Sequence, residues 1–166
     1  MELRLATNND AVTIWAILQD AIAYRKADGS QQWQDGYPNP GTIKTDIDNG
    51  YGYVLEENGA TIAYGAIIFE AEPAYEAIEG KWLSDGEYVV IHRVATSKEV
   101  KGRGIAAKMF KMIEELALSK KVYSVKVDTN FDNIPMLKIL DRLGYTYCGE
   151  VFFRGAPRKA FEKLLS

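Results

Sequence analysis

With 166 residues, 47% of them hydrophobic and 26% charged, the chain has the apolar material for one compact domain, expected to span residues 1–166. A formal net charge of −3 excludes a general nucleic-acid binder, which carries a basic excess, so no nucleic-acid partner is expected. Cys148 is the only cysteine and permits no intrachain disulfide. No basic-then-apolar leader pattern opens the sequence, and no apolar run approaches the roughly 20 residues of a membrane span, so a cytoplasmic protein with no membrane partner is expected.

Residues 2–5 alternate polar and apolar and read as a short strand. Thr7 and Asp10 have the spacing of a helix capping pair. Ala11, Val12, Trp15, Leu18 and Ile22 then recur at helical spacing, which predicts an amphipathic helix over about 9–26, ended by Gly29. Residues 29–41 form a Gly- and Pro-rich loop that carries two aromatic rings, Trp33 and Tyr37. Such rings either cover the core as lids or line a binding cleft. A short helix follows over 42–49.

Residues 51–56 and 60–70 read as a hairpin around Asn58-Gly59, a strong type I′ turn signal. Residues 71–86 break the strand pattern and read as a connection. The run EYVVIHRVA over 87–95 has the continuous apolar middle of a central strand. After a polar loop comes a helix lined by Ile105, Met109, Ile113 and Leu116. A strand over 122–128 and a helix over 134–143 follow, the helix closed by Gly144 in the place of a left-handed cap. Strands over 145–153 and 159–165 complete the pattern. The expected architecture is α+β: a mixed, mostly antiparallel sheet of six to seven strands with helices on both faces.

The chemically informative stretch runs from Val94 to Ala107, leaving a buried strand through a polar loop in which Lys101-Gly102-Arg103-Gly104 lead into the helix that Ile105 begins. The first amides of a helix have no internal acceptor, and the helix dipole favours negative charge there. Glycines at 102 and 104 let a ligand approach the backbone, and Lys101 and Arg103 add full positive charge. Two glycines alone would make only a tight turn; together with two cations they describe a diphosphate cradle. Gly102-x-Gly104-x-x-Ala107 also has dinucleotide spacing. That fingerprint wants its first glycine almost immediately after the strand, and here several polar residues intervene.

This loop resembles the acetyl-CoA loop of the GNAT N-acetyltransferase superfamily, Gln/Arg-x-x-Gly-x-Gly/Ala, with Lys at its first position. The preceding VVIHRVATS resembles that family's fourth strand, which ends in a bulge, and VDTNFDNIPMLKILDRLGYTYCG its fifth strand and following helix. The element order matches along the whole chain. The resemblance implies acetyl-CoA as co-substrate, an amine acceptor, and no metal, in a monomer or a homodimer. It further implies that the backbone of Val94 and Thr96 pairs with the pantetheine amides, with the Val94 amide toward the thioester oxygen. The amides from Lys101 to Ala106 would hold the diphosphate, Asn133 would touch the pantetheine arm, and Trp33 and Tyr37 would flank the acceptor cleft.

One position departs from the family pattern. Many members carry a Tyr seven residues after the Asn, poised to protonate the leaving thiolate, and here Leu140 stands there. Tyr145 and Tyr147 are near in sequence, although tyrosines commonly pack as amphipathic residues. Cys148 reads as a small core residue. His92 and Glu87, on the strand expected to pass the thioester, are the candidate bases. A CoA-binding sensor without turnover and an enzyme using a longer acyl group are the rival readings.

Overall fold

The computed structural model describes residues 1–166, which divide into two compact units: residues 1–67 with 93–112, and residues 68–92 with 113–166. The strands are β1 (Glu2–Leu5), β2 (Gly52–Glu57), β3 (Ala60–Ile68), β4 (Glu79–Gly80), β5 (Val89–Thr96), β6 (Ser124–Thr129), β7 (Thr146–Phe153) and β8 (Ala156–Leu164). The helices are α1 (Ala11–Ala27), α2 (Pro40–Asp48), α3 (Pro73–Glu76), α4 (Ile105–Ser119) and α5 (Ile134–Arg142). The strands make one sheet in the order β1-β2-β3-β5-β6-β8-β7-β4. The β5–β6 ladder is parallel, whereas β1–β2, β2–β3, β6–β8, β7–β8 and β4–β7 are antiparallel.

In the first unit, Thr7 and Asp10 form the expected capping box, on a 3₁₀ turn over Asn8–Asp10 that leads into α1. The buried stripe of α1 is Ile14, Ile17 and Leu18; Val12 is 83% exposed and Trp15 only flanks the core. The apolar residues of this helix are spread around it, so periodicity alone did not select its inner face. Asn58 and Gly59 both have positive φ, 51° and 80°, as a type I′ hairpin requires. Ile14, Ile17 and Leu18 pack with Ile43 of α2, Val54 of β2 and Tyr64 of β3. The next residue, Gly65, faces the other way, where an added Cβ would stand 3.2 Å from Met109 Cε of α4. Helices thus cover both faces of this part of the sheet.

In the second unit, Tyr75, Tyr88, Val90, Val151 and Ala160 form a core, with Ile68, Ile78, Trp82 and Phe153 packed against it. Gly144, at φ 86°, caps α5 in the left-handed region. The eighth strand exceeds the expected six to seven. It lies in the stretch 71–86, expected to be only a connection, which also folds the single turn α3. Glu79 and Gly80 pair with Glu150 and Gly149. Two residues are too few to show an alternation, and the pairing depends on a feature no local pattern reports. Gly80 and Gly149 face each other so closely that a Cβ on Gly80 would lie 2.2 Å from the Cys148 carbonyl oxygen.

Candidate active site

The glycine loop belongs to the first unit. The Lys101 amide donates to Lys98 O at 3.3 Å and that of Arg103 to Val100 O at 3.2 Å, so both are already engaged in turns. The first bond that Gly104 O accepts comes from the Lys108 amide, 3.1 Å away. The amides of Ile105, Ala106 and Ala107 therefore open the helix without an internal acceptor. Gly102 and Gly104 have φ of 84° and 68°, and a Cβ on either would meet nothing within 4 Å. The space above the loop is open, as a diphosphate would need. The two cations are parked nearby: Lys101 Nζ lies 4.6 Å from the Tyr24 ring centroid, and Arg103 pairs with Glu57 at 2.9 Å. Arg103 is 45% exposed, so that pair is worth less than about 1 kcal/mol and yields readily to a stronger anion.

Upstream of the loop, the ladder of β5 with β6 covers Val89–Ile91 and ends there. Arg93, two residues later, has φ 56°, a left-handed conformation that costs a non-glycine residue about 1–3 kcal/mol. It is held there by a fork onto Asp46, Nε to Oδ2 at 3.0 Å and Nη2 to Oδ1 at 2.7 Å, and by Nη1 donating to Tyr37 Oη at 2.6 Å. Asp46 is buried and also accepts from Tyr64 Oη. Burial works to lower the Arg93 guanidinium pKa, and the bonds to Asp46 and Tyr37 more than reverse it. Burial, then the Asp46 charge, raises the Tyr64 phenol, which stays a donor. The kink that aims the strand next to Val94 is thus fixed by a satisfied buried network.

His92, the last residue of β5 in the second unit, sits in a separate cluster. Its Nδ1 lies 3.6 Å from Asp128 Oδ1 and its Nε2 3.9 Å from Glu72 Oε2. The rings of Tyr75 and Phe153 meet it edge-on, with centroids 6.0 and 5.7 Å away. Tyr75 Oη donates to Asp128 Oδ1, and Arg158 Nε lies 3.3 Å from Asp128 Oδ2. Burial first, and the Asp128 charge second, push the Tyr75 phenol well up, so it holds its proton at any working pH. Each imidazole nitrogen thus faces a carboxylate, Nδ1 toward Asp128 and Nε2 toward Glu72, beyond hydrogen-bond distance in both cases.

The residues singled out in the sequence separate into groups. Tyr37 reaches Arg93, beside Val94, whereas Trp33 leans on the α1–α2 core. Val94 and Thr96 are half-buried on β5. Glu87 is not brought to His92. It is exposed, precedes the strand, and lines a shallow hollow with Ser84, Lys121 and Tyr123. Five residues of extended chain, up to about 16 Å, separate the two candidate bases. Asn133 caps α5, its Oδ1 accepting from the Met136 amide at 3.3 Å. Leu140 is fully buried. Tyr145 is also buried and donates to Glu114 at 2.9 Å; burial and that carboxylate hold its phenol well up. Tyr147 is 54% exposed, its ring against Phe161. Cys148 is buried, its thiol raised by burial and bonded to Thr146 O. Sequence reasoning gave no role to Glu72, Tyr75, Asp46, Asp128 or Arg158. One usable signal was an ionisable residue on a central strand, such as Asp128 near the end of SVKVDT, all of whose residues are buried.

The profile of the acetyltransferase (GNAT) family matches residues 16–145. Among solved structures, a GNAT acetyltransferase from Streptococcus agalactiae 2603 is similar, with 40% identity and a TM-score of 0.90 over 99% of this chain and 95% of that one. A GNAT acetyltransferase from Listeria monocytogenes 4b F2365 shares 21% identity at a TM-score of 0.79, covering 99% and 94% of the two chains. The yncA protein of Salmonella typhimurium, solved with its cofactor acetyl-CoA, shares the fold at 16% identity and a TM-score of 0.69, covering 100% and 94%. No curated relative matches the chain in sequence. By the profile match over most of its length and the 40%-identical structure, the chain belongs to the GNAT acetyltransferase family.

Proposed function

We propose that this protein transfers an acetyl group from acetyl-CoA to a primary amine of a small molecule or peptide by direct attack. The observation that carries the reading is the glycine loop: open space above Gly102 and Gly104, outward amides at the start of α4, and two cations beside it. Family membership supports the acyl chemistry, and the acetyl-CoA bound to the yncA protein supports the donor.

Bound here, acetyl-CoA would supply a thioester whose C–S bond breaks as the new C–N bond forms. Ile105, Ala106 and Ala107 would hold the diphosphate with their amides, and Lys101 and Arg103 would turn from Tyr24 and Glu57 toward it. The Val94 amide would stabilise the carbonyl oxygen as it gains charge. His92 Nε2 would take the proton that the amine must lose, while Asp128 holds the ring by Nδ1. With Leu140 buried in place of a tyrosine, no side chain is assigned as the acid. A thiol with a pKa of about 8.5 leaves adequately as thiolate and takes its proton from water.

The test is incubation with acetyl-CoA and a broad panel of amines, reading free thiol and N-acetyl product by mass. Amine-dependent thiol release is expected. Tight CoA binding with no turnover on any amine would leave a sensor instead, and preferential turnover of longer acyl-CoA would change the donor.

A further inference from the structure

We infer that the acceptor amine carries a carboxylate and that Arg158 binds it; this rests on the acetyl-transfer reading and names the substrate class for the same site. Arg158 lies on β8 opposite Val151, with its side chain only 16% exposed. Its Nε is buried and has no hydrogen-bond acceptor, despite standing 3.3 Å from Asp128 Oδ2. A guanidinium carries five donors in a rigid fork. Leaving even one of them, Nε, unmet in a buried place is costly unless an acceptor arrives. Asp128 Oδ2 balances the charge from 3.3 Å but makes no hydrogen bond to Nε, and Oδ1 is committed to Tyr75 and faces His92.

The surroundings fit an amino acid better than a plain amine. Arg158 and His92 flank the same carboxylate, at 3.3 and 3.6 Å, so the fork and the base lie within one small volume. The Glu72 carboxylate, 3.9 Å from His92 Nε2, draws an ammonium group toward the base. Beside the cluster lies the partly buried ring of Phe153, backed by the fully buried Tyr75 and Val151. A site with a cation for one end, an anion and a base for the other, and apolar walls between them complements a short zwitterion. Carboxylate is the anion that a planar guanidinium binds through two parallel bonds.

The experiment compares free L-amino acids with their amides and their decarboxylated amines, in the wild type, Arg158→Gln and Arg158→Lys. Thermal shift with each compound alone is read beside acetylation kinetics, and circular dichroism reports the fold. In the wild type, amino acids are expected to exceed the decarboxylated amines in kcat/KM by about 10- to 100-fold, the worth of hydrogen bonds to a charged group. Arg158→Gln should remove that preference, raising the KM for amino acids at least about 10-fold more than the KM for the decarboxylated amines. Arg158→Lys, which keeps charge without the fork and guards against a folding artefact, should restore part of it. Equal or better turnover of amines without a carboxylate would overturn the proposal while acetyl transfer stands. Arg158-dependent stabilisation by amino acids without any turnover would support the carboxylate site and overturn the transfer reading instead.

Discussion

Arg93 and Asp46, 47 positions apart in sequence, meet through two bonds of 3.0 and 2.7 Å, and Arg93 keeps a left-handed backbone, φ 56°, while doing so. The pair fixes the kink in the strand that leads to Val94. Asp46→Ala would leave a guanidinium buried without its counter-charge, and a loss of about 3–5 kcal/mol is expected in urea denaturation. Arg93→Gly removes both the stranded charge and the backbone strain. The double variant Asp46→Ala/Arg93→Gly should therefore lose clearly less than the two single losses added together. Simple additivity would show that the pair does not hold the kink.

His92→Gln should lower kcat by about 10²-fold or more and remove the acid limb of the pH–rate profile, with little change in the KM for acetyl-CoA. Asp128→Asn acts through the orientation of the ring, so it should lower kcat less and displace that limb rather than erase it. Profiles identical to wild type in both variants would exclude His92 as the base.

Gly104 has φ 68° and open space around an added Cβ, so strain and charge can be tested separately there. Asn and Asp tolerate the left-handed region best among non-glycine residues, and the two differ only in charge. Gly104→Asn should fold and retain most CoA affinity. Gly104→Asp should fold as well but bind CoA at least about 10-fold more weakly than the Asn variant, since a carboxylate would stand against the diphosphate. Calorimetric titration decides it; equal affinities would place the diphosphate elsewhere.

Gly80 and Gly149, at φ 143° and 139°, have no room for a methyl group: a Cβ would lie 2.2 Å from Cys148 O in one case and 2.3 Å from Glu79 O in the other. Alanine at either position should cost about 1–3 kcal/mol by forcing β4 off β7. Gly86, where an added Cβ meets nothing within 4 Å, is the control, and Gly86→Ala should be close to neutral in the same denaturation experiment.

Asp10 links acid stability to the N-terminal strand. Its carboxyl accepts a fork from Arg4, both bonds 2.9 Å, and that interaction, opposed by burial and helped by the Thr7 amide, lowers its pKa from 3.8 to about 2. A group with a depressed folded pKa stabilises fully above its unfolded value, and the effect fades as pH falls through the folded one. Asp10→Asn should thus be less stable than wild type at neutral pH, and the difference should shrink between pH 3.8 and about 2. A constant difference across that window would mean that the loss comes from packing and not from the charge.

The elements readable in the sequence are those whose causes lie within a few residues. Asn58-Gly59 sets its own turn because both residues accept positive φ; Thr7 and Asp10 satisfy each other's backbone across three positions; Gly144 ends α5 locally. The glycine loop was legible for the same reason, since a helix start, two glycines and two cations are contiguous. The buried face of α1 and the short strand β4 were not: a helix whose apolar residues are spread around it has no preferred side until a partner covers one, and β4 exists only because Gly149 comes to lie against Gly80. The charged networks were hidden more deeply. Asp46 for Arg93, and Asp128 for His92 and Arg158, are ionisable groups in buried positions, and no local pattern says which distant charge will meet which. Sequence by itself determined where a helix begins behind two glycines and two cations. The tertiary structure decided which carboxylates come to face His92, Arg93 and Arg158, because desolvation penalises an unpaired charge only after the chain has folded around it.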